Sequence, residues 1–184
     1  MSTTRGAVFL DRDDTLVHDP GYLADPAQVK LLPGVAEGLA TLAAAGWPLV
    51  VISNQSGIAR GLHTAEAFHA VMARIRALLA DRGVAILGEY FCPHHPDLTG
   101  PCECRKPGLR LFRLAAAEHG LDLGASWFVG DRWHDVAPAL AVGGRGVLLA
   151  RDAAGEDVQQ ALRQGVPVAA DLTVAAHLIL EGRA

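Results

Sequence analysis

Ala7-Val8-Phe9-Leu10 stops at Asp11, Leu49-Val50-Val51-Ile52 stops at Ser53, and Trp127-Phe128-Val129 stops at Gly130-Asp131. Each run is too short for a buried helix and reads as a strand. None of them alternates apolar with polar residues, so both faces of each strand must be covered. Between the runs lie helical patterns: Val35, Leu39 and Leu42 before Gly46, and Val71, Ile75, Leu78 and Leu79 between a capping Thr64 and Gly83. Strands of this kind alternating with helices predict an α/β fold, a Rossmann-like doubly wound parallel sheet with helices on both faces.

Further strands are expected at Ala85-Ile86-Leu87 with Tyr90-Phe91 and at Gly146-Val147-Leu148-Leu149. Further helices are expected around Leu111, Leu114 and Ala115, near 134–141, near 154–164 and near 172–181, with a short segment Val166-Pro167-Val168-Ala169 between the last two. Residues 12–33 and 92–108 read as long loops, which in a compact domain are usually functional. No linker or repeat divides the chain, so residues 1–184 are expected to form one domain. Of the 184 residues, 51% are hydrophobic and 20% charged, enough for a core without staples. A net charge of −4 argues against nucleic acid as a partner. No apolar run approaches the roughly 18 residues of a membrane span. The start Met1-Ser2-Thr3-Thr4 has no signal-peptide shape, and three cysteines cannot all pair. A cytoplasmic location, no membrane partner and a monomer are expected.

In an open parallel sheet, ligands bind beyond the carboxyl ends of the strands. Asp11 and Asp131 would meet there and repel, and a hard divalent cation with oxygen ligands, Mg²⁺, removes that cost. Asp11 and Asp13 leave one strand two residues apart, so one can attack while the other handles protons. An ordinary Asx-turn would give the same spacing. The three cysteines and a histidine follow the order Cys92-x-His94, seven residues, Cys102-x-Cys104. Cys₃His is a closed tetrahedral zinc set with no position left for water, so the metal would be structural. The alternative is three reduced thiols beside a surface histidine, with His95 the neighbour most easily mistaken for the ligand.

Phe9-Leu10-Asp11-Arg12-Asp13-Asp14-Thr15 resembles the first motif of the haloacid dehalogenase superfamily of phosphotransferases. Ser53, Lys106 and Gly130-Asp131 with Asp135 match the second, third and fourth motifs. His18-Asp19-Pro20-Gly21-Tyr22, Asn54-Gln55-Ser56-Gly57-Ile58-Ala59-Arg60-Gly61 and Cys92-Pro93-His94-His95-Pro96 are similar to the D-glycero-D-manno-heptose 1,7-bisphosphate phosphatases. The resemblance covers about residues 7–150 and implies a Mg²⁺-dependent phosphatase acting on the 7-phosphate of that small phosphorylated sugar. It implies Asp11 as nucleophile, Asp13 as acid and base, and Ser53 and Lys106 as stabilisers of the phosphoryl group. Mg²⁺ would be held by Asp11, the carbonyl of Asp13 and Asp131. Arg12, Asp19, Gly21, Tyr22, Asn54, Gln55, Ser56, Arg60, Arg105 and Arg132 are the expected substrate contacts. Related phosphatases also carry a zinc loop where Cys92, His94, Cys102 and Cys104 fall. Asp14 stands where the motif usually has glycine, and aspartate tolerates the backbone that turn needs.

The gaps between motifs leave little room for a cap domain, so residues 18–23, 54–61 and 92–106 are expected to form the rim. Histidinol-phosphate phosphatases share the zinc loop and are the alternative enzyme. A nucleic-acid end phosphatase and a zinc-stabilised binding module with an idle site complete the alternatives.

Overall fold

The computed structural model describes residues 5–150 and 152–182, so the expectation about Met1 to Thr4 lies outside the described residues. Six parallel strands form one sheet: β1 (Val8–Leu10), β2 (Leu49–Asn54), β3 (Ile86–Cys92), β4 (Trp127–Gly130), β5 (Arg145–Leu149) and β6 (Val168–Ala169). Their spatial order is β3-β2-β1-β4-β5-β6. The chain builds outward from β1 through β2 and β3, returns to the centre at β4, and builds the other way. The crevice of such a sheet opens where that direction reverses, between β1 and β4. Leu10 pairs with both Val51 and Val129, which brings Asp11, Ser53 and Asp131 to one sheet edge.

Successive side chains of a strand point to opposite faces. Val8 and Leu10 therefore join one core, with α1 (Val35–Ala44), α2 (Ala65–Ala80) and α7 (Leu172–Glu181). Ala7 and Phe9 join another, under α4 (Arg110–His119). There the Phe9 ring lies 5.2 Å from Phe128 and 5.4 Å from Phe112 between centroids. Emptying such a site costs about 3–5 kcal/mol. A third cluster joins Leu148 of β5 to Val136 of α5 (Trp133–Val142) and Val158 of α6 (Glu156–Arg163). The doubly wound expectation is met.

Local signals act as expected at several ends. The Thr64 hydroxyl accepts the Ala67 N–H at 3.2 Å to cap α2. Gly120 closes α4 in the left-handed conformation. Gly38 lets α1 sit against α7: a Cβ there would lie 2.5 Å from the carbonyl oxygen of Leu172. Three details differ from the sequence reading. The third strand is continuous from Ile86 to Cys92, with its register against β2 shifting between Leu49 and Val50. Val168–Ala169 is a strand, recruited by pairing with Leu148 and Leu149. The two long loops hold a 3-10 turn at Pro26–Gln28 and one helical turn, α3 (Pro96–Thr99).

Candidate active site

The end of β1 is tied to β4 by the Asp11 N–H, which donates to the Val129 carbonyl at 2.9 Å. Carboxylate oxygens of Asp11, Asp131 and Asp135 all lie within 4.8 Å of one another. Lys106 is inserted among them. Its Nζ lies 2.6 Å from Asp11 Oδ1 and 2.7 Å from Asp135 Oδ1, and donates to the Ile52 carbonyl at 2.7 Å. Burial pushes the Asp11 carboxyl well above its ordinary value, and Lys106 opposes that shift. Burial alone would lower the Lys106 ammonium, but Asp11 and Asp135 outweigh it and hold the ammonium above its ordinary value. Three carboxylates against one buried ammonium sum to −2, offset from the exposed rim by Arg132, whose Nε lies 3.6 Å from Asp131 Oδ2. The donor set is all oxygen and short by two charges, which fits a hard divalent cation.

Asp135 is the functional residue the sequence reading left without a role. Its Oδ2 accepts the Arg132 N–H at 3.0 Å, capping α5, while Oδ1 faces Lys106. The signal was its place in the fourth motif; only the fold shows what it holds.

Asp13 sits beside this group in a second network. Arg12 Nε and Nη2 donate to its two carboxylate oxygens at 2.8 and 2.9 Å. Gln55 Nε2 donates to Asp13 Oδ2 at 2.7 Å and to Ser53 Oγ at 2.8 Å. Burial raises the Asp13 carboxyl above its ordinary value, against the pull of Arg12. The turn between the first-motif residues and Tyr22 uses left-handed backbone at Asp14 (φ 58°) and at Tyr22 (φ 62°), the first as expected and the second not. Asp19 Oδ1 accepts the N–H groups of Gly21 and Leu23 and so shapes the same turn.

An open cleft of about 320 Å³ lies over these groups. Asp11, Asp13, Asp19, Tyr22, Asn54, Gln55, Ser56, Arg105, Asp131 and Arg132 line it, as the sequence suggested. Ser53 and Lys106 lie beneath its floor, both buried. The Asn54 amide is spent on Lys106, accepting its N–H at 2.9 Å and donating to its carbonyl at 3.3 Å, so it fixes the lysine's backbone.

Three expected substrate contacts do not line the cleft. Arg12 is 0% exposed and lies outside the lining: its guanidinium donates to the cleft residues Asp13 and Gln55, and the Phe68 ring lies 5.1 Å from it. Arg60 is outside the cleft lining, exposed, with its Nη2 2.7 Å from His95 Nε2. Gly21 is exposed on its turn and also outside the lining. The sequence also gave no role to His63. It lies under the 54–61 loop, and a Cβ on Gly57 would meet its ring at 2.5 Å and Tyr22 at 2.6 Å.

Cys92, His94, Cys102 and Cys104 converge. Cys104 Sγ lies 3.1 Å from Cys92 Sγ, 3.5 Å from Cys102 Sγ and 3.1 Å from His94 Nδ1, and Cys92 Sγ lies 3.6 Å from Cys102 Sγ. Zn–S bonds of about 2.3 Å give tetrahedral edges near 3.8 Å, so a small outward movement of the thiols fits zinc. His95 turns away from this group: its Nδ1 accepts the Asp97 N–H at 3.3 Å.

A family model described as HAD-hydrolase-like matches residues 103–175. The chain is 38% identical to a D-glycero-beta-D-manno-heptose-1,7-bisphosphate 7-phosphatase of Yersinia pestis, over 100% of this chain and 94% of the relative. It belongs to that phosphatase family. A relative of the same name from Escherichia coli K12 is 38% identical over 77% of this chain and 76% of its own length. Among solved structures, the fold matches a D,D-heptose 1,7-bisphosphate phosphatase from B. bronchiseptica, complexed with magnesium and phosphate. That match has a TM-score of 0.82 and 30% identity, over 97% of this chain and 99% of the other. As a member of this family the chain is a phosphoric monoester hydrolase of the haloacid dehalogenase type, which bears out the resemblance and the fold read from sequence. Among the described residues no helix is long and apolar enough to cross a membrane.

Proposed function

We propose that this chain removes the 7-phosphate from D-glycero-D-manno-heptose 1,7-bisphosphate, with Mg²⁺ at the carboxylate cluster and an aspartyl-phosphate on Asp11. The observation that carries this is the buried group of Asp11, Asp131, Asp135 and Lys106 at the ends of β1 and β4, two charges short of neutrality. The substrate rests on the family's named relatives.

Asp11 attacks phosphorus in line and the bond to the sugar oxygen breaks. Asp13 delivers the proton that the departing alkoxide needs. In the second half Asp13 takes a proton from water as it attacks phosphorus, the bond to Asp11 breaks, and inorganic phosphate leaves. Such proton transfer contributes about 10²–10⁴ in rate. Lys106 neutralises charge on the phosphoryl oxygens, and Ser53 is poised through Gln55 to donate to one of them. Arg105 and Arg132 supply further cationic contacts from the cleft lining. Asp11, Asp131 and the Asp13 carbonyl would hold Mg²⁺, which would supply positive charge to the transferring group.

Zinc at Cys92, His94, Cys102 and Cys104 would pin the strand of chain that continues into Arg105 and Lys106. We take the described fold as a single catalytic domain acting as a cytoplasmic monomer on a small sugar phosphate. A phosphate-release panel tests the reading, with both anomers of the heptose bisphosphate and histidinol phosphate compared by kcat/KM. Preference for a heptose bisphosphate supports it; preference for histidinol phosphate overturns the substrate while leaving the chemistry.

A further inference from the structure

Arg12 lies between the two aspartates assigned to catalysis, yet it is wholly buried and does not line the cleft. Its guanidinium makes a two-pronged contact with Asp13, through Nε at 2.8 Å and Nη2 at 2.9 Å. Nη2 also donates to Gln55 Oε1 at 3.1 Å. Gln55 in turn donates to Asp13 Oδ2 at 2.7 Å and to Ser53 Oγ at 2.8 Å. The ring of Phe68, on α2, lies 5.1 Å from the guanidinium carbon and backs it from the far side. The Asp13 carboxylate is thus gripped at both oxygens from below, and Ser53 is joined to it through one side chain.

The arrangement is costly for a group that serves packing alone. Burying a charge costs several kcal/mol, and well-packed apolar side chains usually replace a buried ion pair without loss. Arg12 Nη1 is also buried with no hydrogen-bond partner, which adds to that cost. What an apolar residue could not supply is direction: a planar fork fixes the plane of the carboxylate it meets, whereas a lysine offers a point charge.

Resting on the phosphatase reading above, we infer that Arg12 is a positioning residue: with Gln55 and the Phe68 ring it sets the orientation of Asp13 and links it to Ser53. Asp13 matters most when the leaving group is a poor one. A sugar alkoxide needs its proton as the ester bond breaks, whereas p-nitrophenolate leaves without one. Loss of Asp13 orientation should therefore slow the sugar phosphate selectively.

The test compares wild type, Asp13→Ala, Arg12→Lys and Phe68→Leu on the heptose bisphosphate and on p-nitrophenyl phosphate. Because Asp13 also serves hydrolysis of the phospho-enzyme that both esters share, the selectivity is read in kcat/KM, which reports the half-reaction in which the alcohol leaves. Asp13→Ala should lose about 10²–10⁴ in kcat/KM on the heptose ester and far less on the nitrophenyl ester. Arg12→Lys should show the same selectivity in kcat/KM, with a loss of roughly tenfold or more on the heptose ester. An equal loss of kcat/KM on both esters, or no loss, would overturn the positioning role. If Arg12→Lys does not fold, Phe68→Leu decides: it keeps every charge and removes the ring behind the guanidinium, and because that ring also packs on Phe91 at 4.5 Å between centroids, the readout is selectivity between the esters and not overall loss. It should show a smaller loss confined to the heptose ester, and an equal loss on both esters overturns the proposal. If Asp13→Ala itself is not selective, the acid role fails, and that result is distinct from failure of Arg12 alone.

Discussion

Replacing Asp135 by asparagine separates two jobs that one carboxylate does here. Its Oδ1 lies 2.7 Å from Lys106 Nζ, an attraction of about 6 kcal/mol at an effective dielectric constant of about 20. Asp11 and Asp131 both stand within 4.8 Å of Asp135, and each repels it by about 3.5 kcal/mol or more on the same scale. The gain and the loss nearly cancel, so Asp135→Asn should leave the metal-free fold close to wild-type stability. The lost cap on the Arg132 N–H takes away about 1 kcal/mol, a few degrees of Tm for a chain this size. Binding of Mg²⁺ should suffer far more. One charge about 5 Å from a divalent cation is worth about 1.7 kcal/mol even at the dielectric constant of water, more than tenfold in affinity.

Thermal unfolding with and without Mg²⁺ reads both effects. At a concentration about 100 times the wild-type Kd, Mg²⁺ stabilises wild type by about 2.7 kcal/mol, roughly 5–11 °C. At that same concentration the variant should gain about half as much or less. A metal-free Tm lower by more than about 10 °C, or an undiminished Mg²⁺ shift, would refute the charge argument.

Zinc is tested by chelation with Mg²⁺ kept in excess, followed by metal analysis: activity should fall with zinc content, and full activity in a zinc-free sample would remove zinc from the account. Structural zinc binds peptides with about 10–16 kcal/mol, comparable with the 5–15 kcal/mol of a whole domain, so Tm should fall with it. Gly57→Ala would place a methyl 2.5 Å from His63 and 2.6 Å from Tyr22; it should raise KM for the sugar phosphate with kcat little changed, at a stability cost of about 1–3 kcal/mol. Burial holds His134 below its ordinary 6.5, against the pull of Asp135. The unfolded chain then takes up a proton the fold refuses, so this contribution to stability is complete above pH 6.5 and is lost as pH falls. His134→Asn should flatten the drop in Tm between about pH 6.5 and 5, and an unchanged pH profile would contradict the assignment.

The fold was readable because unbroken apolar runs admit one arrangement, a sheet covered on both sides, and because each run ended in the residues that now meet at the crevice. That logic brought Asp11, Ser53 and Asp131 to one edge, whereas Lys106 needed the motif resemblance, since it lies in a loop and not at the end of a strand. Arg12 was expected at the substrate because it sits inside the first motif; its burial depends on Gln55 and on Phe68, more than forty and more than fifty residues away. Asp135 sits in a readable motif, but its pairing with Lys106 exists only in three dimensions. Strand β6 has two residues and no sequence signature of its own; it is a strand because β5 offers it an edge.

The central claim is covalent: the phosphoryl group passes through the side chain of residue 11. Rapid quenching of the enzyme during turnover of the heptose bisphosphate, then borohydride reduction and peptide mass spectrometry, reads that directly. An acyl phosphate is reduced to the alcohol, so homoserine should appear at position 11 in wild type and not in Asp11→Asn. Steady turnover with unmodified Asp11, or turnover by Asp11→Asn at the wild-type rate, would contradict it.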